Sequence, residues 1–391
     1  MILNGLDRLL AEPDELRGRR FGLLAHAASV TADLRPIHLA LAAAGHAPDV
    51  LFAPEHGYFA VEQDMVPAPD AHDPWTGVPV RSLYGDAEST LKPTPDAFAG
   101  LDLLVIDLQD VGARYYTFAA TAVWAAEAAL AAGCEVWVLD RPNPLGGEVV
   151  EGNLPEPGFE SFVGAFRIPV RHGLTLCELV RLEGERRRWP SPHLRHWTMQ
   201  GWRRAMLWPD TGRPFVAPSP NMPTFETAVV YPGMCLVEAT EISEGRGTTR
   251  PFVLCGAPTV DPRALATRVN AQNLPGVFAL PTYFRPQFQK HRGTICGGVE
   301  LALTAPRDVP GYRLGLEVLA ALHAQDGFAW RSAPYEFVTD RPAIDLLTGG
   351  THVRETLARG GDLAGFIAGW RADETAFRAE RRSALLYAEA A

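Results

Sequence analysis

Short apolar runs alternating with stretches of helical spacing dominate the first half of the chain. Arg20 to His26 and Asp49 to Ala53 read as buried strands, and between them Pro36 to Ala44 carries helical spacing up to a terminating Gly45. Leu101 to Leu108 and Glu135 to Asp140 are further apolar runs, joined by an alanine-rich helix expected over Thr117 to Ala132 and closed by Gly133. Thr175 to Arg188 reads as another helix and Leu194 to Thr198 as a short strand. Strands that are apolar throughout and alternate with helices imply an α/β domain with a parallel sheet covered on both faces.

From about Pro214 the texture changes. Proline and glycine become dense through Ala217-Pro218-Ser219-Pro220-Asn221-Met222-Pro223-Thr224, and strand-like runs recur at Cys235 to Thr240 and Val299 to Thr304. Helices are expected near Asp261 to Gln272, Tyr312 to Gln325 and Asp362 to Tyr387. The division falls near residue 213: an α/β domain over 1–213 and a smaller α+β domain over 214–391. A chain of 391 residues exceeds what one hydrophobic core usually spans, so two domains are expected on length as well.

Charge and cysteine usage narrow the chemistry. The formal charge of −10 is spread along the chain, and the one dense basic run, Arg186-Arg187-Arg188, sits at a helix end. Phosphate counterion release therefore offers little, which argues against nucleic acid and anionic membranes as partners. The five cysteines are widely separated, mostly in apolar runs, and read as buried free thiols. No C-x-x-C pair, H-E-x-x-H or His/Cys cluster has metal-ligand spacing, so neither a metal site nor a cofactor is expected. The N-terminus lacks a charged segment followed by an apolar core, and no apolar stretch reaches spanning length. As given, the sequence reads as soluble and cytoplasmic, or as periplasmic or secreted if a leader was removed.

Three of the predicted strands end in polar residues. Glu55 and His56 precede Gly57, where a sharp turn would expose the acid; Gln109, Asp110, Arg114, Tyr115 and Tyr116 follow the third strand; Asp140, Arg141 and Asn143 follow the fourth among rigid prolines. Ligands of open α/β sheets bind beyond the carboxyl ends of the strands, so these loops should converge. An amide, an acid, a guanidinium and two phenols suit a sugar, whose flat faces stack on rings while its hydroxyls meet polar tips. A structural Asp110–Arg114 pair with core tyrosines is the competing reading, as capping is for Glu55 and Asp140. His172 precedes a helix capped by Thr175 and reads either as structural or as a ligand to a substrate carboxylate. Ser243-Glu244-Gly245-Arg246-Gly247-Thr248-Thr249-Arg250 alternates glycines with charged and hydroxyl residues and would allow close approach to a ligand. It matches no nucleotide-binding fingerprint, and no G-x-S-x-G elbow is present.

Taken together, Pro54-Glu55-His56-Gly57, Asp110 to Thr117, Leu139 to Pro144, Pro218 to Thr224 and Ser243 to Phe252 resemble one family, the bacterial exo-β-N-acetylmuramidase (NamZ-type) glycoside hydrolases. The resemblance runs from about Gly5 to the C-terminus. It departs from the family pattern at Tyr58-Phe59-Ala60, where a Gly-containing turn is common, and at Cys177, where Gly is common.

What the resemblance implies is a Rossmann-like N-terminal domain, a smaller C-terminal domain, and a cleft that releases N-acetylmuramic acid from non-reducing ends of peptidoglycan fragments. The family's proposed catalytic glutamate falls on Glu55. Glycoside hydrolysis ordinarily pairs a general acid with a second carboxylate. Glu55 is expected as the acid and would need its proton when substrate arrives, which burial in a closed cleft favours. Glu244 is the first choice for the second role, with Asp110 and Asp140 behind it. Arg114, Arg141, Arg246 and His172 are expected around the lactyl carboxylate, with Tyr115, Tyr116 and Asn221 on the ring and N-acetyl group. A non-catalytic muropeptide sensor is the alternative, and a carboxylate-metal amidase a third reading.

Overall fold

The computed structural model describes residues 1–63, 66–67 and 69–389. Strands β1 (Phe21–Ala25), β2 (Val50–Ala53), β3 (Ala71–His72), β4 (Pro79–Ser82), β5 (Leu103–Asp107), β6 (Glu135–Leu139) and β7 (Leu194–Trp197) form a sheet of order β3-β4-β2-β1-β5-β6-β7. All neighbours in it are parallel except β3 against β4. Period-two alternation sorts its side chains cleanly. Phe21, Leu23, Leu51, Val105 and Trp137 pack under helices α1 (Gly5–Ala11) and α2 (Ile37–Ala43). Leu24, Phe52, Ile106 and Val138 face α3 (Phe118–Ala131) and α4 (Leu176–Arg187) on the other side.

A second, antiparallel sheet of order β8-β10-β9 carries β8 (Leu254–Ala257), β9 (Val277–Phe284) and β10 (Cys296–Leu303). Around it run α5 (Phe225–Met234), α6 (Pro262–Asn270), α7 (Gly311–His323), α8 (Ala343–Thr348), α9 (His352–Ala358) and α10 (Ala364–Glu380). The architecture is thus the expected α/β domain with a mostly parallel sheet plus a smaller α+β portion. One apolar cluster runs from Leu24 in the large sheet through α3 and α5 to Val299 and Phe377, so the two portions share a core. Among the described residues no helix is long and apolar enough to cross a membrane.

One predicted strand is a helix. Cys235 to Thr240 continues α5 as a 3₁₀ turn over Cys235–Ala239. The run is buried at every position, so no period distinguishes strand from helix, and the preceding helical residues carry the chain forward. β9 escaped notice for the opposite reason: only Ala279 is buried within it, and Pro281 interrupts its pattern.

Helices α5 and α7 cross closely through Gly233, Gly311 and Gly315. A Cβ on Gly315 would overlap the Gly233 carbonyl, so both positions require hydrogen as a side chain. Gly315→Ala should therefore cost about 1–3 kcal/mol by overpacking. Denaturant unfolding of the variant beside wild type measures it, and an unchanged midpoint would contradict the crossing.

Candidate active site

β2 ends at Ala53, and three residues later the chain turns through left-handed backbone at His56 (φ 71°) and Gly57 (φ 77°). Gly57 meets that demand without strain, whereas His56 is held by its ring, whose Nδ1 lies 2.9 Å from the Glu62 carbonyl oxygen. The turn lays Glu55 against the start of α3, where the Thr117 hydroxyl donates to Oε2 at 2.6 Å. Glu55 is only 4% exposed, yet it lines a cavity together with His56, Tyr115, Tyr116, Thr117, Asn221 and Arg246. The empty space, counting its open mouth, is about 470 Å³.

The wall contributed from beyond residue 213 holds Ser219, Met222, Tyr231, Glu238, Phe252, Tyr335 and Glu336. Glu238 is bound at both oxygens: Arg246 Nη2 donates to Oε1 and the Tyr335 hydroxyl to Oε2, each at 2.6 Å. Tyr115, Tyr116, Tyr231 and Tyr335 all have phenols pushed well above their ordinary range by burial, so they remain protonated donors. Asn221 is steadied by a hydrogen bond that its Nδ2 donates to Gln63 Oε1 at 2.8 Å. The cavity thus brings together acids, phenols, an amide and one guanidinium between apolar patches from Val163, Met222 and Phe252.

Other residues singled out in the sequence lie elsewhere. Arg114 donates to the carbonyls of Asn153, Ile168 and Leu347, and Arg141 forms a buried pair with Asp107 (2.6 and 2.7 Å). Asp110 accepts from Gly112 N at 2.7 Å and lies 3.6 Å from His172 Nε2, whose Nδ1 accepts from Leu174 N. Asn143 packs beneath Gly112, where a Cβ would overlap its amide, and bonds Leu145 N and the Leu174 carbonyl. Thr248 closes its own turn by donating to the Gly245 carbonyl at 2.6 Å. Gly245 and Gly247 have positive φ, and a Cβ on either would collide with the Leu254 or Phe288 backbone, so these glycines answer to close packing. Glu244 sits behind Arg246, 3.1 Å from its Nε and 2.9 Å from Lys290 Nζ. Burial alone would raise its pKa, but the two cations hold it below the usual carboxylate range.

The crevice between β1 and β5, where the strand order reverses, is filled. His26 Nε2 accepts from Gln109 N at 2.9 Å, and Ser29 donates to the Asp107 carbonyl. Burial drives His26 down to about 3, so it stays a neutral acceptor. The cavity opens instead at the end of β2 and the start of α3. Glu238 had one sequence signal, a lone acid inside the apolar run Cys235-Leu236-Val237-Glu238-Ala239, where unpaired burial would be costly.

Comparison with known proteins gives one consistent result. The model of the N-terminal domain of exo-β-N-acetylmuramidase NamZ matches residues 21–226, and that of the C-terminal domain matches residues 229–387. The chain is 38% identical to peptidoglycan β-N-acetylmuramidase NamZ of Bacillus subtilis (strain 168), across 99% of this chain and 91% of that one. Two crystal structures of DUF1343 family proteins from Bacteroides fragilis NCTC 9343 superpose with TM-scores of 0.86 and 0.77, at 31% and 26% identity. The first covers 99% of both chains and the second 100% of both.

Asp140, buried after β6, accepts from Thr175 Oγ1 (2.8 Å), Tyr387 OH (2.5 Å) and Cys177 N (3.1 Å), tying the start of α4 to the C-terminal segment. Burial pushes its carboxyl up to about 7 despite those bonds. The folded state then holds the proton more tightly than the unfolded one. Its contribution is complete below about pH 4 and is lost as pH rises through about 7. Asp140→Asn should flatten that slope: between those limits wild type should lose more melting temperature than the variant, and parallel curves would refute the assignment.

Proposed function

Because the chain belongs to the exo-β-N-acetylmuramidase NamZ family across nearly its whole length, we infer that it is a glycoside hydrolase releasing N-acetylmuramic acid from non-reducing ends of peptidoglycan fragments. The observation that carries the catalytic reading is Glu55 at the wall of a cavity lined by acids, phenols and a guanidinium, with Thr117 bonded to one oxygen. That bond orients the carboxyl, and the acid proton on Oε1 would then be delivered to the glycosidic oxygen as the bond breaks.

The second carboxylate we propose is Glu238, which shares the cavity with Glu55, in place of Glu244, which lies behind Arg246. Held by Arg246 and Tyr335, Glu238 would face the sugar ring as a fixed negative charge, stabilising the positive charge that develops at the anomeric carbon and accepting a proton from the attacking water. The domain over 1–213 would supply the acid and that over 214–391 its counterpart. Among the arginines first considered, Arg246 lines the cavity and is the cation best placed for the lactyl carboxylate of muramic acid. Tyr115, Tyr116 and Asn221 would bond the ring and N-acetyl substituents.

Glu55→Gln should lower turnover by at least about a hundredfold with the fold intact. Glu238→Gln should also fall by about a hundredfold or more, since a charge acting on the transition state is lost. Both are read from release of chromophore from a chromogenic N-acetylmuraminide, with product masses from a MurNAc-GlcNAc disaccharide confirming the bond cut. Saturable binding by wild type without release would favour a muropeptide sensor, and near-normal turnover of Glu55→Gln would remove it from the acid role.

A further inference from the structure

We propose that Tyr58, His38 and Asp73 form a buried relay on the far face of the sheet that fixes the Glu55 turn, making Tyr58 and His38 positioning residues for hydrolysis. The inference rests on Glu55 as the acid.

The turn after β2 is an awkward piece of backbone. His56 and Ala60 (φ 53°) carry side chains in the left-handed region, which surrounding structure must enforce. Its own hydrogen bonds are local: Gly57 N to the Pro54 carbonyl, Ala60 N to that of Gly57 and Glu62 N to that of His56, at 3.1 to 3.2 Å. Such bonds set the shape of the turn and leave its placement over the sheet open.

Placement comes from Tyr58. Glu55 faces α3 on one side of the sheet, whereas the Tyr58 ring is buried among Ile37, Leu41 and Val80 on the other. Its hydroxyl lies 2.9 Å from His38 Nδ1 on α2. Asp73 beside Nε2 favours the imidazole proton on that nitrogen, which leaves Nδ1 to accept from the Tyr58 hydroxyl. Nε2 lies 3.4 Å from Asp73 Oδ1, and among the described residues neither atom has a hydrogen-bond partner elsewhere. The other Asp73 oxygen accepts from Thr76 N (2.7 Å) and Thr76 Oγ1 (2.5 Å), which anchors it in the turn joining β3 to β4. Trp75, in that same turn, stacks on His38 at 5.7 Å and 10° and meets the edge of Phe59.

His38 and Asp73 are 1% and 0% exposed, and neither lines the cavity. Burying an imidazole and a carboxylate is unfavourable beside an apolar pair of the same volume, so packing alone does not explain them. A hydroxyl pinned at one point fixes Tyr58 more sharply than apolar contact would, and Glu55 lies three residues away.

Tyr58→Phe removes the hydroxyl and keeps the ring. On the MurNAc-GlcNAc disaccharide it should lower kcat about tenfold with KM changed less than about twofold, as expected when an acid is misplaced and binding is spared. His38→Leu should match it, while His38→Asn, which keeps an acceptor near Nδ1, should recover most of the rate. Adding Asp73→Asn to Tyr58→Phe should cost nothing more, because the link is already cut. Independently of activity, amide exchange across 56–62 should quicken in Tyr58→Phe. Unchanged exchange, or a KM that rises as far as kcat falls, would overturn the relay. Wild type that releases no sugar would instead remove the hydrolase reading, and the exchange comparison would still judge the link.

Discussion

The loops leaving the carboxyl edge of the large sheet bury backbone carbonyls that neither helix nor strand can satisfy, and guanidinium groups supply the missing donors. Arg114 reaches the carbonyls of Asn153, Ile168 and Leu347; Arg381 reaches those of His172 and Gly173; Arg204 joins Gly147 and Gly173 while pairing with Glu178 at 2.6 Å. A planar fork with five donors suits this task, since one side chain can close several loops at once. Without it the polar segments would need water that the interior excludes. Arg114 thereby fixes the segment whose next residues, Tyr115 and Tyr116, line the cavity.

That arrangement explains which parts of the site were legible in the sequence. Glu55, His56, Tyr115, Tyr116, Asn221 and Arg246 were found because polar residues follow apolar strands or sit in proline- and glycine-dense turns, and they meet at one cavity. Arg114, Arg141, Asp140 and Asn143 obey the same rule of position and serve the scaffold instead. Sequence position identifies the strand end; it does not reveal whether a guanidinium meets a ligand or a neighbouring carbonyl, because the carbonyls that Arg114 and Arg141 meet belong to residues 39 to 233 positions away.

In the large sheet, strands β1, β2, β5 and β6 were readable because each is apolar and bounded by turn residues, whereas β3 and β4 are short and largely exposed and were not expected. Those of the small sheet were harder, since β9 has little buried surface and β8 is only four residues long. Glu238 was lost with the misread segment around it. A 3₁₀ turn buried on all sides carries no periodic signature, and its acid makes sense only once Arg246 and Tyr335 are seen to close on it.

The shared apolar interior bears on how the enzyme can move. Leu24, Tyr115, Tyr231 and Phe252 belong to one continuous cluster, so prising the two walls apart like jaws would wet a large greasy seam. On the proposed mechanism, Glu55 and Glu238, one on each wall, would keep their spacing through the whole working cycle.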